Sequence, residues 1–191
     1  MKLTKRVVVI VVLGIMGGVL MSGCTASWGE PGRGAVTGGK VVIPGVCFVD
    51  YCVGDEPIPL SFARVTLWGD GGEVVVVNTD CRGEWRVEGL VSREFLLEAR
   101  REDLVLKQVF TRQPDTNPLN LTTDSYTSAQ VFVYEVANAL FPDALYLEEV
   151  PDLVLPTELV AAVEQVYWEC RNPFADPDLT RRVTELVNHR F

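Results

Sequence analysis

Histidine is nearly missing from this chain: among 191 residues there is one, His189, close to the C-terminus where chains usually fray. Hydrolysis by an activated serine or cysteine needs a base held beside the nucleophile, and His189 is a poor choice for that role. No Gly-x-Ser-x-Gly turn, glycine-rich phosphate loop or His-Glu-x-x-His helix occurs, so the common hydrolases, nucleotide enzymes and zinc peptidases lack their parts. Nothing points to a cofactor, and there is no internal repeat. Basic residues are also scarce, 17 Lys and Arg against 26 Asp and Glu for a formal net charge of −9. The two basic pairs, Arg100-Arg101 and Arg181-Arg182, read as solvated faces. Nucleic acid is disfavoured as a partner, because phosphate binding relies on clustered Lys and Arg that displace counterions. What survives of catalysis is a carboxylate-only hydrolase acting on envelope polymers. It needs one Asp or Glu kept protonated in an apolar cleft opposite a second, and 26 acidic residues always offer pairs.

The N-terminal end is more specific. Lys2, Lys5 and Arg6 precede an apolar run at residues 7–20, followed by Met21-Ser22-Gly23-Cys24. A charged n-region, a short apolar stretch and small residues ahead of a cysteine form an export signal that is too short to span a bilayer comfortably. The pattern resembles the lipobox of bacterial lipoproteins, with Met21 where that motif usually has leucine. The resemblance implies removal of residues 1–23 and lipidation of Cys24, which becomes the mature N-terminus. Removal takes three of the 17 basic residues and none of the 26 acidic ones, so the net charge moves from −9 to −12. An acidic chain gains nothing from anionic headgroups, so membrane attachment is expected through the acyl chains on Cys24. The expected location is the cell membrane or outer membrane, facing the extracytoplasmic side. Residues 24–34, polar and rich in Gly and Pro, read as a tether.

Four further cysteines, Cys47, Cys52, Cys81 and Cys170, are an even number in a chain read as exported, and this makes disulfides plausible. Zinc favours two close ligand pairs, and these cysteines do not supply them, so no metal is expected. In a reducing compartment all four serve equally well as small buried hydrophobes. Two pairings fit the strand pattern described next. Either Cys81 reaches Cys47 or Cys52, or Cys47 closes locally on Cys52 while Cys81 ties to Cys170 and clamps the C-terminal segment.

Residues 35–111 read as short strands separated by turn signals, a pattern that fits a small antiparallel β-sandwich. Alternation is clear in Ala63-Arg64-Val65-Thr66-Leu67, in Glu84-Trp85-Arg86-Val87-Glu88, and in Phe95, Leu97 and Ala99. Gly69-Asp70-Gly71-Gly72 and Asp80-Cys81-Arg82-Gly83 supply turns. Residues 44–59, with two cysteines, Asp50, Asp55 and Glu56, are too long for a minimal hairpin loop and read as an insertion. If consecutive strands run antiparallel, the insertion and the Cys81 turn share one pole of the sandwich. Three motifs taken in order resemble a carboxypeptidase regulatory-like domain, a family similar in fold to transthyretin and to collagen-adhesin B-type repeats: Pro59-Leu60-Ser61-Phe62-Ala63 before a strand, Thr79-Asp80-Cys81-Arg82-Gly83-Glu84-Trp85, and Phe95-Leu96-Leu97-Glu98-Ala99. That family often has glycine where Phe62 stands. The resemblance implies a non-catalytic accessory module.

Residues 112–124 read as a linker, and residues 125–191 as about three helices. Tyr126, Ala129, Val133, Val136, Ala137 and Leu140 recur at helical spacing behind Asp124 or Ser125 as a cap, with Pro142 beyond the end. A second helix is predicted from Thr157 as N-cap through Leu159, Val163, Val166 and Cys170. A third follows Asp176 and Pro177, with Leu179, Val183, Leu186 and Val187 as its apolar stripe. Their apolar faces need cover, either from the sandwich, from one another or from a partner.

The fold class is thus mainly β with an α appendage. The expected function is a lipid-anchored extracytoplasmic structural or protein-binding module with an envelope protein partner. The alternative is a cell-surface carbohydrate-binding module, with polysaccharide as partner. Trp85 shares the inner face with Val87, whereas Trp68 shares a face with Arg64 and Thr66 and is the better candidate for an exposed ligand contact. Asp50, Asp55 and Glu56, or Asp70 with Glu73, offer oxygen atoms to calcium without any EF-hand spacing, and solvated acidic loops are the simpler account. Lys40 occupies the first strand, where collagen-adhesin relatives place a crosslinking lysine, but the last strand has no asparagine. No such crosslink is therefore expected, and a deficit of one ammonia in the mass of the mature chain, beyond its processing and lipid, contradicts that reading.

Overall fold

A computed structural model describes residues 36–45, 47–48, 58–112 and 121–190. Among the described residues seven strands are divided between two sheets: β1 (Val36–Val41), β2 (Arg64–Gly69), β3 (Val74–Asn78), β4 (Glu84–Glu88), β5 (Glu94–Arg101), β6 (Leu104–Thr111) and β7 (Leu121–Thr123). One sheet has the order β4-β1-β7 and the other β3-β2-β5-β6. All pairings are antiparallel except β1 with β7, which is parallel. The sandwich therefore extends past residue 111. The segment read as a linker through residue 124 ends in a strand, because Leu121–Thr123 completes the sheet edge beside β1.

Period-two patterning decides which face is buried. Val65, Leu67, Phe95, Leu97, Ala99 and Leu106 turn inward from the larger sheet to meet Val41, Trp85 and Val87 from the smaller one. Phe95 stacks on Phe110 at 5.4 Å between ring centroids, and Trp85 tilts against Phe110 at 6.2 Å. A polar tie joins the sheets where Thr123 Oγ1 donates to Gln108 Oε1 at 2.8 Å, both residues buried. The β3–β4 turn closes with Asp80 Oδ1 accepting from Arg82 and Glu84 amides at 2.8 and 2.9 Å. Gly83 sits there at φ +70°, and a Cβ would stand 2.6 Å from the Val41 carbonyl oxygen, so no other residue fits without backbone movement. The stem of the insertion and the Cys81 turn do share a pole: Leu60 N–H donates to Val41 O at 2.9 Å and Ser61 Oγ to Cys81 O at 2.7 Å.

Three helices follow: α1 (Ser125–Leu140), α2 (Thr157–Trp168) and α3 (Pro177–Arg190). Asp124 caps α1 reciprocally with Thr127, accepting its amide at 2.9 Å while Thr127 Oγ1 accepts the Asp124 amide at 3.0 Å. The start of α2 departs from expectation. Pro156 holds the N-cap position and Thr157 is the first helical residue, since Leu159 N–H donates to the Pro156 carbonyl at 3.0 Å. Its end departs too, as Cys170 lies beyond the helix at φ +54°. Asp176 caps α3, accepting the Leu179 and Asp178 amides at 3.0 Å each. The Leu179 amide first, and the Arg171 guanidinium at 2.6 Å, hold its carboxyl below the usual carboxylate range.

Helices α1 and α2 are spent on the sandwich, and α3 packs on them. Hydrogen bonds of β5 and β6 place the backbone groups of Val105 and Lys107 on the outer edge of β6, and a bare edge of this kind is costly or adhesive. Ser128 Oγ accepts the Lys107 N–H at 3.0 Å, and the Tyr167 hydroxyl donates to the Val105 carbonyl at 2.7 Å. Tyr167 is wholly buried, which pushes its phenol far above the ordinary value and leaves it a neutral donor. On the outer face Lys107 pairs with Glu135 and lies 4.4 Å above the Phe174 ring.

Two sequence expectations are corrected at the clamp. A disulfide joins Cys47 to Cys170, 123 residues apart with Cα atoms 5.4 Å apart. This excludes both Cys47–Cys52 closure with Cys81–Cys170 and the Cys81–Cys47 pair. The clamp onto the C-terminal segment is made by the insertion instead, because the turn after α2 brings Cys170 against its stem. Gly45, at φ +83°, lies so close under the Trp168 ring that a Cβ would overlap it. Cys81 is disulfide-bonded as well, and Cys52 lies outside the described residues. The second correction is Arg101, which is no solvated charge: Nη1 donates to Ser61 O at 2.8 Å and the guanidinium lies 4.0 Å over the Phe48 ring.

Replacing Tyr167 by Phe leaves the Val105 carbonyl dry and unpaired. The expected loss is about 1 to 3 kcal/mol, read as a lower urea midpoint at unchanged slope. A midpoint equal to that of the parent chain contradicts the edge-sealing role.

Candidate functional site

The outer face of the four-stranded sheet is only half covered. Helix α1 and the 3-10 turn Leu147–Asp152 lie over the β6 side, and among the described residues the β2–β3 side is left exposed at Arg64, Trp68, Val76 and Asn78. The β2–β3 ladder pairs Gly69 with Glu73 and Ala63 with Thr79, so the backbone groups of Val74 and Val76 point away from β2 toward the open margin of the sheet. On the bare face Trp68 stands directly opposite Val74 on one side and Leu96 on the other. Trp68 is 37% exposed and Val76 41% exposed. The alternation placed Trp68 outside and Trp85 inside, as found.

At the border between the bare and covered halves lies a cleft of about 560 Å³. One wall is Glu94 at the start of β5, on the same face as Leu96 two residues later. The other is the chain leaving α1. Pro142 stops the helix, Asp143 turns at φ +64°, and Tyr146 and Glu148 follow. Asn138 pins this return, its Nδ2 donating to the Leu145 carbonyl at 3.0 Å and the Tyr134 carbonyl at 3.2 Å. Leu145 is thereby buried, and Tyr146 is left 59% exposed at the rim. Burial first, and the neighbouring Glu135 second, raise the Tyr134 phenol above its ordinary value.

Sequence reasoning missed this cleft. Glu94 and Tyr146 belong to segments 52 residues apart that only the packing of α1 on β6 brings together. The local signal was Pro142 with Asp143, Tyr146 and Glu148 between two helical patterns.

The remaining predicted residues divide in two. Cys24, Cys52, Asp50, Asp55 and Glu56 lie outside the described residues. Asp70 and Glu73 are present but already committed. Asp70 Oδ1 accepts the Gly71 amide at 2.8 Å, and the Glu73 carboxylate accepts the Val91 and Ser92 amides at 3.1 and 2.9 Å. They clasp a loop, which is a sufficient reason for acids there. Among the described residues no His, Cys, Asp and Glu group is arranged to hold a metal ion. A glycosidase pair needs one carboxyl enclosed by apolar surface, whereas Asp143 and Glu148 in the cleft are both exposed. His189 is exposed in the last turn of α3.

No protein-family model matches this chain, and no curated protein matches it in sequence.

Glu73→Ala is expected to cost about 1 kcal/mol and to speed amide exchange at Val91 and Ser92, while millimolar calcium leaves the melting temperature of the parent chain unchanged. A calcium-dependent rise that Glu73→Ala abolishes contradicts the clasp and restores a cation site.

Proposed function

We propose that the mature chain is anchored through lipidated Cys24 on the extracytoplasmic side and works there as a non-catalytic protein-binding module. The lipobox-like start carries the location. The Cys47–Cys170 disulfide and the bonded Cys81 support it, since disulfides persist in oxidising compartments. Two-sheet architecture supports, at the level of topology, kinship with carboxypeptidase regulatory-like domains, which serve as accessory modules.

The observation that carries the binding role is the uncovered half of the outer sheet face. The apolar stripes of the amphipathic helices are covered by the sandwich and by one another, so they are not the partner's surface. Phe62, Val91, Val154 and Trp168 are also exposed, but it is on this sheet face that Trp68 and Val76 are grouped with Val74 and Leu96, bounded by a strand whose margin is open. An exposed apolar edge is a liability that proteins normally blunt with charge, as β4 does with Glu84, Arg86 and Glu88. Strand β3 has Val74 and Val76 on its outer face in its place, while Val75 and Val77 pack on the core. A partner that adds a strand there gains main-chain hydrogen bonds and a flat aromatic seat. The exposed Trp68 ring also favours a second reading, a carbohydrate-binding face on which the ring stacks against a sugar.

Unreduced peptide mass spectrometry of protein taken from its native membrane is expected to show a diacylated Cys24. A photo-crosslinking residue at position 76 is expected to give one discrete protein adduct in cells, and the same residue at position 185 on α3 none. An unmodified N-terminus, or no adduct from position 76, contradicts the proposal. A glycan array bound by the parent chain and lost with Trp68→Ala would transfer the role to the carbohydrate reading.

A further inference from the structure

Resting on that reading and naming its partner, we infer that the β3 margin pairs with the β3 margin of a second copy of this chain, antiparallel and centred on Val76. Ladder bonds at Gly69–Glu73 and Ala63–Thr79 set the parity of the strand, so the backbone groups of Val74, Val76 and Asn78 all face away from β2. Their three N–H and three C=O groups have no partner among the described residues. The strand runs against β2 in unbroken register from Val74 to Asn78, with no proline, bulge or charge to blunt its edge.

A two-fold axis through Val76 satisfies this whole set. Val76 exchanges both of its bonds with Val76 of the second copy, Val74 exchanges both with Asn78 of the second copy, and Asn78 with its Val74. No outward main-chain group is left over. On the outer face Val76 meets Val76 of the second copy, flanked on either side by Thr66, and on the core-facing side the half-buried Val75 meets Val77.

Charge singles out this margin for a copy. Each chain carries a formal net charge of −9, so two copies repel over most of their surface. Strand β3 is neutral, and the carboxylates at its ends are tied into their own loops, Glu73 by the Val91 and Ser92 amides and Asp80 by the Arg82 and Glu84 amides. The same two-fold operation on β4, the margin of the smaller sheet, sets Arg86 against Arg86 and Glu84 against Glu88. Like charges directly opposite are destabilising, so β4 rejects its copy where β3 accepts it. Lipidated Cys24 gathers the copies on one surface. Residues 24–35 give each up to about 40 Å of chain, against about 20 Å for the length of β1. Both anchors therefore reach one bilayer, although antiparallel pairing sets the two Val36 ends at opposite poles. An interface this small is weak in dilute solution, where the Val76 amide stays open to exchange.

The test is made in cells on the anchored full chain, expressed as two differently tagged copies. A photo-crosslinking residue at position 76 is expected to give an adduct of twice the chain mass that carries both tags and joins residues 74–78 of the two copies. With the photo-crosslinking residue moved to position 78, Val76→Lys in both copies, or Val76→Glu in both, should lower the adduct about tenfold. One copy with Val76→Lys beside one with Val76→Glu should restore it, and both variants should keep the parent melting temperature because position 76 lies exposed at the margin. An adduct untouched by like charges at 76, or one that the mixed pair fails to restore while both variants melt as the parent does, overturns the inference. A position-76 adduct formed only with a different protein also overturns it and leaves the docking face standing. If no adduct of either kind forms, the protein-binding reading falls and takes the inference with it.

Discussion

The β6 edge is the constraint on which the rest of the molecule depends. Four strands in the order β3-β2-β5-β6 leave two margins, and among the described residues only the β6 margin is closed. Closure at β6 is achieved by two hydroxyls, Ser128 from α1 and Tyr167 from α2, each satisfying a backbone group that would otherwise stand dry under a helix. Those two bonds fix where α1 and α2 lie, and α3 then fills the remaining side of α1 with Leu179, Val183 and Val187. The helices are thus part of one core continuous with the sandwich. The disulfide from Cys47 to Cys170 secures the same C-terminal end of α2, three residues beyond Tyr167, across 123 residues of chain, and a loop of that length is where a crosslink removes most freedom from the unfolded state.

Asymmetry follows from this closure. Because α1 and the turn after it cover the β6 side, the β2–β3 side keeps its apolar face and its open margin. The boundary between the halves is where a cleft forms. Its floor is sheet, its wall is the chain returning from α1, and its unpaired carboxylates sit where the helical layer ends. The exposed sheet face and the cleft are two consequences of one packing choice, and for that reason they lie side by side.

Much of this was legible in the residues. Period-two alternation assigned inner and outer faces correctly for Trp85 and Trp68, since a single-residue register slip would invert every side chain and is strongly disfavoured. Helical spacing and caps located α1 and α3, as Asp124 and Asp176 are oxygen-bearing residues placed where orphan amides need them. Other features depend on tertiary geometry. Thr157 resembles a cap, yet Pro156 already supplies the extended conformation before the helix, so the boundary moved by one residue. Arg101 looked solvated because nothing local announces that the insertion folds Phe48 over it. The Cys47–Cys170 pair was missed because it depends on where α2 ends, and the cleft because its two walls meet only after α1 is seated on β6. The three-residue strand β7 has no periodicity to detect.

The most direct test of edge closure is native-state hydrogen exchange read residue by residue. The account predicts that the Lys107 amide, which donates to Ser128 Oγ, exchanges only through global unfolding, whereas the Val76 amide on the open margin exchanges by small local fluctuations many orders of magnitude faster. Comparable exchange at the two positions, with Lys107 opening independently of the core, would show that the helical layer rests on the sandwich without sealing it.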